Sequence, residues 1–242
     1  RQSAWASVSR AVRTPAILDD NIEVGLLSSA PPFLRLLPNT GLDNESLIAY
    51  EIGYREQTTD TFSWDFATFF NDYSKLITPV AGAPFLDPRF GAMVVPLTRQ
   101  NAQSGESYGF ELAANWQPSE TWKLYGQYSF VQIQLHGGGQ GSEGQTPHSQ
   151  FYLQSSWDIG CDWQFDLIGR YADQLPGFTP AIESYFEMDA RLAWRPSKSL
   201  EVAVVGQNLL DSHHAENGTS ALLRSPLVEI QRSVYGQVSY RW

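Results

Sequence analysis

A chain of 242 residues is long enough for one large β domain or two small ones. Its formal charge of −10, from 16 basic against 26 acidic residues, speaks against a nucleic-acid surface. A mean hydropathy of −0.29, with no run near the ~18–20 apolar residues a spanning helix needs, excludes a helical membrane protein but not a membrane strand, in which only alternate positions face lipid.

From the first residue the pattern is that of strands. Arg1 to Arg10 alternates around Trp5, and Thr14-Pro15 ends the run. A long stretch without a clear period follows, carrying Asp19, Asp20, Pro31, Pro32, Pro38, Asn39 and Gly41. Ser46 to Arg55 then alternates cleanly, with Ile48, Tyr50, Ile52 and Tyr54 on one face and Ala49, Glu51, Gly53 and Arg55 on the other. Across a polar turn at Gln57 to Asp60, Phe62, Trp64, Phe66 and Phe70 share a face until the pattern fades near Ile77, where a second long loop with Pro79, Pro84, Pro88 and Pro96 is expected. Tyr108, Phe110, Leu112, Ala114 and Trp116 oppose Gly109, Glu111, Ala113 and Asn115. After a turn at Pro118-Ser119, Trp122, Leu124, Tyr128 and Phe130 oppose Lys123, Tyr125, Gln127 and Ser129. A glycine-rich loop (Gly137 to Gly144) precedes Phe151, Leu153 and Trp157. A turn at Gly160 to Asp162 leads to Trp163, Phe165, Leu167 and Tyr171. A Pro176-Gly177 loop leads to Met188, Ala190, Leu192 and Trp194, and Pro196 to Lys198 turns the chain into Leu200, Val202 and Val204. The loop from Asp211 to Pro226 returns it to a last strand with Val234, Gly236, Val238, Tyr240 and Trp242 on the apolar face, and Ser233, Tyr235, Gln237, Ser239 and Arg241 opposite.

The reading gives about ten strands whose connections alternate strictly between long and short. A transmembrane barrel sorts its loops this way, short at the periplasmic end and long outside; a soluble sandwich has no physical reason to. The aromatic residues add to this. Aromatic content is 13%, with eight tryptophans, and each tryptophan lies near a short turn or a strand end at that level. Tryptophan and tyrosine favour a membrane interface, where an apolar ring is buried while its N–H or O–H meets water. All eight tryptophans are therefore expected at one interface, with Tyr73, Tyr128 and Tyr171 at the other.

Several of these stretches carry a resemblance: WASVSRAVRTPA at Trp5 to Ala16, AYEIGYR at Ala49 to Arg55, GFELAANW at Gly109 to Trp116, MDARLAWRP at Met188 to Pro196, VGQNLLD at Val205 to Asp211 and RSVYGQVSYRW at Arg232 to Trp242. Together they resemble the barrel of TonB-dependent outer-membrane receptors. The resemblance implies an all-β, antiparallel transmembrane barrel of about 22 strands around an N-terminal plug, of which residues 1–242 would be the C-terminal portion. Arg1 opens inside strand-like sequence with no secretory leader before it, so the plug, the signal peptide and the remaining strands are expected to belong to a longer protein. The implied place is the outer membrane of a Gram-negative bacterium. The implied partners are outer-membrane lipid, the plug, the TonB complex through that plug, and a scarce small-molecule or metal-chelate nutrient such as a ferric siderophore or cobalamin. No cofactor is implied.

Catalytic and metal-binding chemistry is thinly represented. The single Cys161 excludes an internal disulfide and a cysteine-based zinc cluster. His213 and His214 share a loop with Asp211 and Glu216, which makes a metal site conceivable, but solvated loop residues are the expected reading. His136 and His148 are given no role. Gly137 to Gly144 lacks the Lys-Ser/Thr ending of a phosphate loop and reads as a flexible connection. Glu51, Arg55, Asp65, Glu111, Lys123, Asp166, Arg170, Glu187, Asp189 and Arg191 fall on the polar face. In a barrel that face lines a watery lumen, and the resemblance implies that these residues are plug-facing structure rather than a substrate site. Substrate contacts are expected in four loops, Thr14 to Glu45, Leu76 to Gln103, His136 to Pro147 and Asp211 to Pro226, with no individual binding residue named. Two other architectures compete: a complete small membrane barrel with a hydrolase site at its rim, for which only Asp211, His213 and His214 are eligible, and a soluble β-sandwich binding module.

Overall fold

The computed structural model describes residues 1–21, 23–26, 32–89, 91–137, 143–218 and 227–242. In chain order these form β1 (Gln2–Arg13), α1 (Ile17–Asn21), β2 (Val24–Leu26), β3 (Phe33–Leu37), β4 (Glu45–Thr59), β5 (Phe62–Ala81), β6 (Phe85–Asp87), β7 (Ala92–Ser119), β8 (Trp122–His136), β9 (Ser149–Ile159), β10 (Trp163–Ala172), β11 (Tyr185–Ser197), β12 (Leu200–Gln207), β13 (His213–Ala215), β14 (Glu229–Gln231) and β15 (Ser233–Tyr240). Ten of them, β1-β4-β5-β7-β8-β9-β10-β11-β12-β15, make one antiparallel meander in which each strand pairs with the next. That is the number of long strands read from the alternation. Tight turns at Asp60-Thr61, Glu120-Thr121, Gly160 to Asp162 and Lys198-Ser199 join alternate pairs, and every other connection is long.

Because side chains alternate across a strand, the register carries each face intact from one strand to the next. One rung runs Ile52–Thr68–Phe110–Phe130 and another Tyr54–Phe66–Leu112–Tyr128–Phe151–Tyr171–Phe186. This face is apolar and exposed: Ile52 is 63% accessible, Val204 56% and Val238 69%. A soluble domain would have to cover so continuous an apolar surface, whereas a membrane wall presents it to lipid. Aromatic rings close the band at the short-turn end. Tyr54 packs on Trp64 (5.2 Å between centroids), Trp116 on Trp122 (6.3 Å), Trp122 on Trp157 (6.1 Å), Trp157 on Phe165 (5.6 Å) and Trp163 on Trp194 (6.0 Å). Toward the long connections lie Tyr50, Phe70, Tyr108, Tyr128, Phe151 and Tyr171. Trp116 and Tyr108 are separated along β7 by about 27 Å of extended chain at ~3.4 Å per residue. At a tilt of ~40° that is ~20 Å of height, close to the ~25 Å apolar band of an outer-membrane barrel.

Two aromatic residues depart from the expected girdles. Trp5 lies against Gly53 on the polar face, in the company of Ser3, Ser7 and Ser9. Even positions of β1 carry the apolar face, with Ala6 opposite Ile52 and Val8 opposite Tyr50. The ring has room there because Gly53 offers no side chain: a Cβ at that position would run into the Trp5 indole. Gly53→Ala should therefore lower stability by about 1–3 kcal/mol, as overpacking does, and Trp5→Ala in the same chain should remove most of that cost in a urea titration. Tyr73 also points to the polar face, its hydroxyl 3.3 Å from Ser107 Oγ. Tyr128 and Tyr171 lie on the apolar face, on one rung with Leu112, and Trp242 is fully exposed beyond β15.

The largest departure concerns the stretch Leu76 to Gln103, expected as a loop. β5 and β7 continue there as a paired hairpin, with Thr78 opposite Gln100, Pro79 opposite Arg99 and Ala81 opposite Leu97. Register shifts between Tyr73 and Thr78, with Lys75 at φ 58°, move the extension out of phase with the strand below. A bulge flips the face on which every later residue lies, so a single alternation cannot be followed through it. The described residues of Thr14 to Glu45 likewise hold more strand than the sequence suggests. β3 lies parallel to β7 (Phe33 opposite Val94, Leu36 opposite Leu97), β2 pairs β3, and Leu36 and Val94 are buried between them. Charges tie this outer layer down. Arg35, itself buried, donates to Asp87 Oδ2 at 2.6 Å and pairs with Glu23, while Asp87 also accepts from the Arg89 backbone and side chain. Arg13 grips both oxygens of Glu45 (2.5 and 2.7 Å), and Arg99 pairs with buried Asp19.

Candidate functional site

The polar face of the meander is the first candidate surface. All ten residues expected on it lie there by register: Ser7 opposite Glu51, Arg55 opposite Asp65, Asp166 opposite Arg191, Arg170 opposite Glu187, with Glu111, Lys123 and Asp189 in the same alternation. Ser7 Oγ donates to Glu51 at 3.0 Å and Arg55 pairs with Asp65 at 2.5 Å. The Arg55–Asp65 pair is exposed, and an ion pair of that kind contributes little to stability. A cavity of about 590 Å³ lies over this part of the wall, bounded by Arg55, Asp65, Glu111 and Gln127.

Farther along, the charges interlock. Arg191 reaches Asp166 at 3.2 Å and Glu201 at 2.5 Å, and Arg195 holds the other Glu201 oxygen at 2.6 Å while donating to Gln164 Oε1 at 2.7 Å. Arg170 donates to both oxygens of Glu187 at 3.0 Å and pairs with Asp189. Glu187 and Asp189 are buried, each 7% accessible. Planar guanidinium forks suit this bidentate work, which a lysine point charge does less well. These groups satisfy one another; they rigidify the wall and leave no nucleophile beside a base.

The second candidate surface is the rim of long connections. Of the four expected capture loops, the described parts of Thr14 to Glu45 and Leu76 to Gln103 form the layer of short strands over the upper end of β7. Parts of His136 to Pro147 and Asp211 to Pro226, including the middle of the glycine-rich loop, lie outside the described residues. His136 Nε2 is 3.0 Å from Glu106, and Cys161 is exposed in its turn.

His213 and His214 do not behave alike, and the expectation that both are solvated fails for one of them. They sit on β13, which pairs with β14 (His213 opposite Gln231, His214 opposite Ile230). Neighbouring residues of a strand face opposite ways, so His213 is exposed beside Glu229, 3.7 Å away, while the His214 ring is buried at 7% accessibility. It stacks on Tyr185 at 4.2 Å, with Glu216 3.5 Å from Nε2 and Asp211 3.9 Å from Nδ1. Asn208, fully buried at φ 50°, organises the corner: its backbone N–H donates to Asp189 Oδ1 at 3.0 Å, and its amide lies 3.3 Å from both His214 Nδ1 and the Ile230 carbonyl. Adjacent histidines were visible in the sequence. The strand that splits them is only three residues long, too short to show a period.

The hydrolase alternative gains nothing from this corner. Asp211, His213 and His214 come together only in part, with His213 turned away to Glu229.

Comparison with known proteins agrees with the fold. The family model for the TonB dependent receptor-like beta-barrel matches residues 2–209. Among solved structures, the chain is similar to the closed form of the ferric-catecholate import receptor Fiu from E. coli, at 16% identity and a TM-score of 0.70 over 98% of this chain and 32% of that one. It is similar to a ferric enterobactin receptor (PfeA) variant of Pseudomonas aeruginosa in complex with enterobactin, at 16% identity and TM-score 0.73 over 99% and 38%. It also resembles the FrpB iron transporter of Neisseria meningitidis, at 15% identity and TM-score 0.70 over 99% and 37%. The chain thus spans between 32% and 38% of the length of these three structures. Identities this low carry the fold alone, an antiparallel transmembrane barrel wall, while the family match covers most of the chain. By that match the chain belongs to the TonB-dependent receptor β-barrel family.

Proposed function

We propose that residues 1–242 form the C-terminal portion of a receptor barrel in the outer membrane of a Gram-negative bacterium, serving TonB-dependent uptake of a ferric siderophore or, less in keeping with the neighbours, a cobalamin. The observation that carries this is the sorting of the meander into a lipid-type apolar face, a polar face and one rim of long connections. Structural neighbours described as ferric-catecholate, ferric enterobactin and iron receptors favour iron chelates. In this reading the chain performs no catalysis. Its polar face meets an N-terminal plug, whose movement is coupled to TonB, and its rim supplies substrate contacts.

The edges of the sheet support a longer barrel. Among the described residues β1 pairs only with β4 and β15 only with β12. An unpaired edge is costly in lipid, where backbone N–H and C=O groups have no water to meet, so further strands between β15 and β1 would satisfy both.

Uptake of radiolabelled ferric enterobactin, a ferric hydroxamate and cobalamin should be compared in iron-starved cells with and without the gene, and with and without TonB. Loss of one iron-chelate signal in both deletions is expected. Unchanged uptake of all three substrates would sink the proposal.

A further inference from the structure

Among the described residues, one group of His and carboxylate side chains brings its ligand atoms close enough to share an ion. We propose that Glu187, His214 and Glu216 bind one divalent transition-metal ion of the Zn²⁺ type, which fastens the β13–β14 hairpin to the start of β11. One ligand atom from each residue lies within 4.8 Å of the others. His214 Nε2 is buried without a hydrogen-bond partner, and its nearest charged atom is Glu216 Oε1 at 3.5 Å. That distance is close to the ~3.3 Å edge of a tetrahedron with bonds of ~2.0 Å. A buried ring nitrogen without a hydrogen-bond partner loses its hydration without compensation; a metal ion supplies the missing partner.

The surroundings suit a cation. Glu187, Asp189, Asp211 and Glu216 bring four carboxylates to this corner, and Arg170 pairs with two of them. Arg170 does not close the site, since each carboxylate oxygen has two lone pairs and can serve a guanidinium and a metal together. It orients Glu187 as outer-shell partners orient metal ligands. Tyr185, stacked on the imidazole, fixes the ring plane. A cleft of about 410 Å³ bounded by Glu183, Tyr185, Asp211 and His214 gives an ion and its waters a route in from the rim. An imidazole with two carboxylates matches Zn²⁺ or its first-row neighbours, whereas Ca²⁺ and Mg²⁺ prefer oxygen alone.

The test uses the protein extracted from its own membrane in detergent, stripped with EDTA, dialysed and titrated calorimetrically with Zn²⁺, and in parallel with Ca²⁺ and Mg²⁺. One Zn²⁺ per chain should bind at micromolar concentration, with Ca²⁺ and Mg²⁺ at least about ten-fold weaker. Glu216→Gln should weaken Zn²⁺ at least about ten-fold, His214→Ala should abolish binding, and His213→Ala should leave it unchanged. Co²⁺ in place of Zn²⁺ should give a visible absorption band that His214→Ala removes. Should His214→Ala fail to assemble, Glu216→Gln decides alone, because that carboxylate is 43% exposed and not part of the wall. No saturable Zn²⁺ binding, binding that survives Glu216→Gln, loss on His213→Ala, or equal affinity for Ca²⁺ would each overturn the proposal. The titration reads ion binding and not uptake, so its failure leaves the receptor reading intact.

Discussion

Replacing Leu112 by arginine is expected to lower the stability of the membrane-inserted barrel by about 2–4 kcal/mol, while Gln127→Arg should cost no more than about 1 kcal/mol. The two positions are neighbours in the wall, since Leu112 pairs with Tyr128 and Ala113 with Gln127, but they face opposite ways. Leu112 lies midway between Trp116 and Tyr108 on the apolar face and is 41% accessible. At that depth an arginine has no water within easy reach, and snorkelling to either interface must stretch the side chain across half the band. Gln127 borders the polar-face cavity, where a guanidinium stays hydrated. Leu124 supplies a depth control. It shares the face of Leu112 but sits two residues from Trp122, at the girdle, where the cost of arginine falls to about 0–1 kcal/mol. Urea-dependent unfolding of the intact receptor in phospholipid vesicles should therefore rank the variants Leu112→Arg far below Leu124→Arg and Gln127→Arg. Equal effects at Leu112 and Gln127 would mean that the two faces have been exchanged or that neither meets lipid.

That ranking draws on faces that the alternation alone made visible. Tyr50, Phe66, Leu112, Tyr128 and Leu192 were legible because each of their strands meets two different solvents, lipid on one side and an aqueous lumen on the other, and a period of two survives nowhere better. Legibility ended where this contrast ended. Above the band both sides of the β5–β7 hairpin meet water or other loops, so Thr78 to Ala81 lost their pattern, and the register shifts near Lys75 reversed what remained. Prolines at 79 and 96 added to the impression of a loop, although Pro is tolerated in a ladder where its missing N–H is not required. β3 and its parallel partner in β7 are joined across sixty residues, and no local pattern encodes such a pairing. Trp5 misled for another reason: its type fits an interface, but position in the register, set by Val8 against Tyr50, sends it to the polar side. His214 shows the same limit at the candidate metal site. Residue types were in plain view at Asp211 to Glu216, while Glu187 and Tyr185, which complete the corner, come from a strand that the sequence places elsewhere.

The second large effect should come from Arg170. Arg170→Met keeps much of the stem's apolar contact but removes the guanidinium, and is expected to cost about 3 kcal/mol or more, the lower part of the range for breaking a buried pair. The lower part applies because the Arg170 side chain is 36% exposed, whereas Glu187 and Asp189 are not. What is lost is mainly compensation. Among the described residues Glu187 would keep no charged donor, and Asp189 would retain only the Asn208 backbone N–H at 3.0 Å. Two buried carboxylates side by side would then repel each other, and the strain would fall on the β11–β12 corner where Asn208 holds the hairpin. This origin can be separated from lost packing. Combining Arg170→Met with Glu187→Gln and Asp189→Asn removes the unpaired charge and should recover more than half of the loss, since replacing all members of a buried charge cluster is far less costly than orphaning one. Thermal unfolding of the four proteins (parent, single, double carboxamide and triple) would decide it. A triple variant as unstable as Arg170→Met would assign the effect to the arginine stem instead. The measurement also bears on the metal site, because Zn²⁺ added to Arg170→Met should restore part of the lost stability by supplying Glu187 with a cation, and should do nothing once Glu187 is glutamine.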